Sequence, residues 1–154
     1  MSTHHATIDW APAQGNDFLA GHYTRAHVIG FDHGVALPGS ASPSVVKAPW
    51  SVEAAADPEE LLVASIASCH MLWFLDFAKH AGVEVRAYRD EPEGRMGKMA
   101  SGKIGVVVCV LRPSVDCDAD PETLGALHHK AHEACNIANS VLTDVRVEPA
   151  APLV

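Results

Sequence analysis

The sequence predicts an α+β domain of mostly antiparallel sheets built around one long apolar helix. Three observations predict it. The run Leu61–Leu75 (LLVASIASCHMLWFL) holds no Asp, Glu, Lys or Arg and follows a strong helix start at Asp57-Pro58-Glu59-Glu60. Alternating apolar segments flank it on both sides. A second helix start, Asp120-Pro121-Glu122, precedes the last of those segments. The order is three strands, a long helix, two strands, a helix and a strand. At 154 residues the chain is expected to form one domain over 1–154.

The first strands are expected at His4–Trp10 and Gly21–Phe31, with a shorter one near Val35–Leu37. Pro38–Trp50, rich in Pro, Ser, Gly and Ala, reads as a loop. Asp57 then caps the free N–H groups of the long helix, Pro58 fits its first turn, and Glu60 stands at the capping-box position. The helix should reach about His80, with Gly82 near its end. A helix apolar all round is either buried or membrane-spanning. The charge-free run is shorter than the ~18–20 residues of a span, which predicts a central helix wrapped by other elements. Val83–Arg89 alternates as a half-buried strand, and Lys103–Arg112 reads as a more buried one. Gly94, Gly97 and Gly102 between them suggest a turn or bulge. The second helix is expected to run to roughly Ala138, and Val141–Glu148 to close the chain as a strand. No glycine-rich phosphate loop is present.

An apolar fraction of 48% is enough for one core. A net charge of -8 with only 11 Lys and Arg argues against nucleic-acid binding, which needs a basic face, and against docking on anionic membranes. No basic stretch followed by an apolar one opens the chain, so a cytoplasmic protein is expected. There, lasting structural disulfides are rare, and the four cysteines gain weight as redox or metal residues. Cys109, in the apolar run Ile104–Leu111, reads as a small buried hydrophobe, and Cys117 as a loop residue.

Cys69 lies midway along the apolar helix. It is either a small core residue or a nucleophile at the floor of a pocket. Apolar surroundings raise the pKa of any thiol, so a nucleophile there requires a fixed cation or donors nearby. Arg25 is the candidate cation. It alternates with Tyr23, His27, Ile29 and Phe31, a mostly apolar set that predicts an inward face, and an inward arginine needs a partner. Cys135 lies on the second helix. His128, His132 and Cys135, at spacings of four and three, share one helix face. They read as half of a transition-metal site, unless His128, His129 and His132 are simply a solvated helix face.

The segment Asp57-Pro58-Glu59-Glu60-Leu61-Leu62, followed by Ala67-Ser68-Cys69 on an apolar helix and by Glu133-Ala134-Cys135 on a later one, resembles the OsmC/Ohr superfamily of hydroperoxide-reducing proteins. The resemblance spans roughly Phe18 to Pro149, and the inferred element order agrees with it. It implies that Cys69 is the peroxidatic cysteine and Cys135 the resolving one. It implies that Glu59 and Arg25 form the ion pair that holds and activates the thiolate. It also implies an intertwined homodimer with sites at the subunit interface, no bound cofactor, an organic hydroperoxide as substrate, and a thiol reductant, lipoylated proteins among them.

Straight helix would separate Glu59 from Cys69 by ~15 Å. The site is therefore expected to be shared across a dimer or built on a kinked helix start. Three features depart from the superfamily's familiar pattern and place the chain in an OsmC-like side branch. Arg25 sits in Tyr23-Thr24-Arg25-Ala26-His27 rather than a glycine-rich setting, Asn136 follows Cys135 where proline is common, and His70 follows Cys69. His70 points about 100° away from Cys69 around the helix, which ranks it below Arg25. Two other functions compete: a metal-binding protein using His128, His132 and Cys135, and a non-catalytic member of the fold with inert, buried cysteines.

Overall fold

The computed structural model describes residues 2–153. The chain divides into two compact units, Met1–Leu61 and Leu62–Val154. The first holds an antiparallel sheet of β1 (Ala6–Asp9), β2 (His27–Phe31) and β3 (Ala36–Gly39), with Ile29 of β2 opposite Ile8 and Leu37. The strand expected from Gly21 begins only at His27. Gly21 takes φ +79° in a turn that bridges Asp17 and His22, and the Arg25 N–H bonds Trp50 O at 2.9 Å instead of a neighbouring strand. Extended propensity alone cannot distinguish those pairings.

The long helix, α1 (Pro58–His80), starts as its sequence requires. Asp57 Oδ1 accepts from the Glu60 N–H at 2.8 Å, and Glu60 Oε2 accepts from the Asp57 N–H at 3.0 Å. This is a reciprocal capping box, and it forms without a kink. At the other end Gly82, at φ +73°, lets the Val83 N–H return to Ala78 O at 2.9 Å.

The second unit holds two sheets. In one, β4 (Val85–Asp90) pairs antiparallel with β7 (Pro113–Cys117). In the other, β6 (Ile104–Leu111) lies between antiparallel β5 (Glu93–Lys98) and parallel β8 (Asp144–Val147). Strand β5 forms where a turn or bulge was expected, and both are present: its register with β6 shifts between Arg95 and Met96, and Gly102, at φ +83°, follows in a turn. The β5 glycines serve close packing: a Cβ on Gly94 would lie 2.5 Å from the Val63 side chain, and one on Gly97 2.9 Å from Val107. Strand β7 takes up Cys117, read from sequence as a loop residue.

The second helix, α2 (Pro121–Ala134), is capped by Asp120, whose carboxylate accepts from the Thr123 N–H and hydroxyl, each at 2.9 Å. It stops before the expected Ala138 because Cys135 leaves the helical region at ψ 106°, and Ala138–Ser140 form a single 3-10 turn.

Helix α1 buries one stripe: Ile66, Ala67, His70, Phe74 and Ala78. Phe74 and Ala78 pack with Val115, Leu127 and Ala131, while Ile66 and Ala67 pack with Cys109 and Leu111. The opposite side, with Ala64, Ser65, Ser68 and Leu72, is open, so burial reaches one face of the helix rather than its whole circumference. An 18-residue window within the 23-residue α1 has a mean hydropathy of 1.7, so by length and composition alone the helix could cross a membrane, as core helices of this kind also can.

Phe74 is fully buried. Replacing it by Ala is expected to lower unfolding free energy by about 3–5 kcal/mol in a urea titration. Asp57→Ala, which removes half of the capping box, should cost about 1 kcal/mol in the same measurement.

Candidate functional site

The four site residues predicted from sequence fall in two places, Arg25 and Glu59 in the first unit and Cys69 and Cys135 in the second. In the first unit, Trp10, Phe18 and Tyr23 pack ring against ring, with centroids 4.6–5.8 Å apart. With Ile8, Arg25 and His27 they line an apolar cup of about 500 Å³. Arg25 is half-buried, its guanidinium carbon 3.7 Å from the Tyr23 ring centroid. One of its terminal nitrogens donates to Gly21 O at 3.1 Å and to Tyr23 O at 2.6 Å. Tyr23, Arg25 and His27 thus share the face that alternation predicted, although strand β2 begins only at the third of them. Phe31, expected on the same inward face, is 42% exposed. The Arg25–Glu59 ion pair is not formed within the single chain: among the described residues, no salt bridge includes either side chain. The kinked helix start that could have shortened the Glu59–Cys69 span is also not present.

In the second unit, Cys69 and Cys135 come together. Cys69 is half-buried and lines an open cleft of about 490 Å³ with Ser65, Leu72, Trp73, Asn136 and Ile137. Cys135 is 1% exposed. Its thiol donates weakly to Ile66 O at 3.9 Å and accepts the Ala138 N–H at 3.4 Å, and the Cys69 thiol is near enough to shift its titration. Burial pushes the Cys135 pKa up. The Ala138 N–H opposes that shift, and the adjacent Cys69 thiol adds to it. All four cysteines are free thiols. Cys109 is fully buried, as its apolar run predicted, and its pKa rises to about 11 through burial and the nearby Asp90 carboxylate. The pair therefore joins a half-buried, cleft-lining thiol to a buried one on a separate chain segment.

The helix face predicted to carry His128, His132 and Cys135 together does not form, because α2 ends at Ala134 and Cys135 turns toward Ile66 and Cys69. His128, at 4% exposure, is also not solvated. Its Nδ1 lies 3.1 Å from Nε2 of His70, with the two rings stacked at 5.4 Å and 8°. Phe74 also stacks on His128, at 4.3 Å. Among the described residues no group of three or more His, Cys, Asp or Glu side chains is placed to hold a metal ion. His70 was ranked low because it points away from Cys69. The geometry is as expected, but the direction away from Cys69 leads into the core. The signal was the four-residue spacing Ile66, His70, Phe74, Ala78, all of which are buried.

Desolvation holds both histidines down at about 4, and His70 is lowered further by His128 and His132. A histidine with a depressed folded pKa binds fewer protons folded than unfolded, so its contribution to stability is present above the unfolded value of 6.5 and is lost as pH falls toward 4. Urea midpoints taken between pH 7 and pH 4 should fall steadily through that window. In His128→Asn, which has one fewer depressed base, the fall should be shallower.

The chain matches the family model described as OsmC-like protein over residues 51–150. Among curated protein sequences none matches it. Its structure is similar to that of an OsmC-like protein of unknown function from Vibrio cholerae, at 44% identity and TM-score 0.93, covering 97% of this chain and 100% of that one. Organic hydroperoxide resistance proteins share the fold at lower identity. The one from Elizabethkingia anophelis has 17% identity and TM-score 0.73 over 100% and 98% of the two chains, and the one from Bacillus subtilis has 23% and 0.71 over 97% and 98%. The reciprocal cap, the cysteine ten residues beyond Glu59 and the second cysteine after α2 thus stand in a matching α+β fold, and the chain belongs to the OsmC-like protein family.

Proposed function

We propose that this protein is a thiol-dependent peroxidase that reduces organic hydroperoxides, with Cys69 as the peroxidatic and Cys135 as the resolving cysteine. The observation that carries this reading is the pairing of a cleft-lining Cys69 with the buried thiol of Cys135. Its relatives named for organic hydroperoxide resistance share the fold and support the substrate class.

In the first step the Cys69 thiolate attacks one oxygen of the O–O bond. That bond breaks, sulfur is oxidised to a sulfenic acid, and the departing alkoxide takes a proton to leave as alcohol. The Cys135 thiol then attacks the sulfenic sulfur, forming the disulfide and releasing water. An external dithiol of lipoyl type reduces the disulfide by exchange and is itself oxidised, so no bound cofactor is required. Protonated Cys135 suits the second role, since a buried thiol does not compete for peroxide.

Arg25 and Glu59 act in this reading as the cation that stabilises developing oxyanion charge and the carboxylate that orients it. Arg25 must then give up its two carbonyl partners. Since α1 starts without a kink, Glu59 reaches a Cys69 site from a second copy, and the protein works as a homodimer. The apolar cup around Arg25 favours an organic over an inorganic peroxide. The reducing cytoplasm supplies the thiol turnover the cycle needs.

With a dithiol reductant, the wild type should consume cumene hydroperoxide catalytically. Cys69→Ser should fall to the background rate, and full turnover in that variant would end the proposal. Cys135→Ser should still consume one equivalent per chain and stop at a sulfenic acid that dimedone traps.

A further inference from the structure

The peroxidase reading leaves one buried polar contact unused, the hydrogen bond between His70 and His128. It is close in sequence to the cysteine pair. His70 is the residue after Cys69 on α1, and His128 lies on α2 seven residues before Cys135, the residue at which that helix ends. The two helices therefore meet through the imidazole pair, and the Cys135 thiol just beyond α2 lies near Cys69. The hydrogen bond adds a directional contact to the apolar packing of Phe74 and Ala78 on Leu127 and Ala131, and so fixes the register of α2 against α1.

The hydrogen bond has a defined sense. His70 is fully buried and its Nδ1 has no partner, and a buried lone pair without a donor costs less than a buried N–H without an acceptor. The proton is therefore assigned to Nε2 of His70, which donates to Nδ1 of His128. His128 then carries its own proton on Nε2, beside the cleft it lines with Gly125, His129 and His132. Tyr88, on β4, borders the pair with its ring 6.5 Å from His128, and Phe74 fixes the His128 plane. Among the described residues no hydrogen bond joins either imidazole to a cysteine sulfur.

We propose that His70 and His128 are positioning residues for disulfide closure: their hydrogen bond holds α2 at the distance and register from which Cys135 reaches Cys69. The inference rests on the peroxidase reading for its biological purpose but not for its geometry. Closure joins the two sulfurs by a bond of about 2.05 Å and tolerates little misplacement of the backbones that carry them. A helix free to pivot would spend less time in register, and closure would slow while the attack of Cys69 on an oxidant stayed unchanged.

The test uses diamide, a thiol oxidant that takes up the two hydrogens of a dithiol and so closes the pair without any peroxide chemistry. Rates of Cys69–Cys135 disulfide formation are compared in the wild type, His128→Phe, His70→Gln and His128→Asn, alongside the rate at which iodoacetamide alkylates Cys69. His128→Phe keeps an aromatic ring against Phe74 but removes the acceptor. It should slow closure by about tenfold or more, the scale of leaving one buried donor unpaired, with alkylation of Cys69 unchanged. His70→Gln retains a donor near the Nε2 position and His128→Asn an acceptor near the Nδ1 position, so both should close within a few-fold of the wild type. Equal closure rates in all four proteins would overturn the proposal, as would isosteric variants as slow as His128→Phe. If diamide closes the wild-type pair and the variants behave as stated while no hydroperoxide is consumed, the positioning role stands and the peroxidase reading fails. If diamide forms no Cys69–Cys135 disulfide in the wild type, the positioning role fails.

Discussion

The stripe Ile66, His70, Phe74 and Ala78 on α1 is the constraint on which the second unit depends. Four-residue spacing puts the four side chains on one face, and each is essentially inaccessible to water. Phe74 and Ala78 meet Leu127 and Ala131 of α2, Ile66 meets Cys109 and Leu111 of β6, and His70 supplies the one polar group in the stripe. Because α1 is fixed by that face, Cys69 is turned out of the core and toward the cleft. Apolar packing thus sets the accessibility of the thiol, and a group with no role in the chemistry determines where the chemistry can occur.

The same packing separates the properties of the two cysteines. Cys69 meets the cleft through the exposed side of a helix, while Cys135 sits where α2 ends and the chain turns inward to Ile66. Had α2 continued to Ala138, Cys135 would have shared a face with His128 and His132, the arrangement of a metal half-site. Termination at Ala134 divides the three: His128 goes to the core, His132 to a cleft, and Cys135 to its partner thiol. Arg25 and Glu59 are divided in another way. Arg25 is satisfied by backbone carbonyls and an aromatic face, and among the described residues the Glu59 carboxylate expected to orient it makes no ion pair. The open face of α1 and the unmade Arg25–Glu59 pair are the two features that the proposed second copy would complete.

Local signals were the legible part of the sequence. The Asp57–Glu60 box, Gly82 and the Asp120 cap depend on residues within a few positions of one another, and each formed as read. Strands β5 and β7 were not legible, since a polar, glycine-containing segment becomes a strand only when a partner and a close-packed neighbour, here Val63, are in place. The start of β2 was misplaced for the same reason. In the site, the two cysteines named by the resemblance lie 66 positions apart in the chain and near each other in the fold. The His70–His128 bond joins residues 58 positions apart, and no local pattern specifies its partner. The buried spacing of His70 could have shown its direction but not what it meets.

The central claim is that Cys69 and Cys135 form one redox unit. It is tested most directly by treating the reduced protein with one equivalent of cumene hydroperoxide, blocking free thiols under denaturing conditions and mapping the product by peptide mass spectrometry. The account predicts a single Cys69–Cys135 disulfide, with Cys109 and Cys117 recovered as blocked free thiols. A bridge that includes Cys109 or Cys117, or peroxide treatment that leaves both Cys69 and Cys135 reduced, would contradict it.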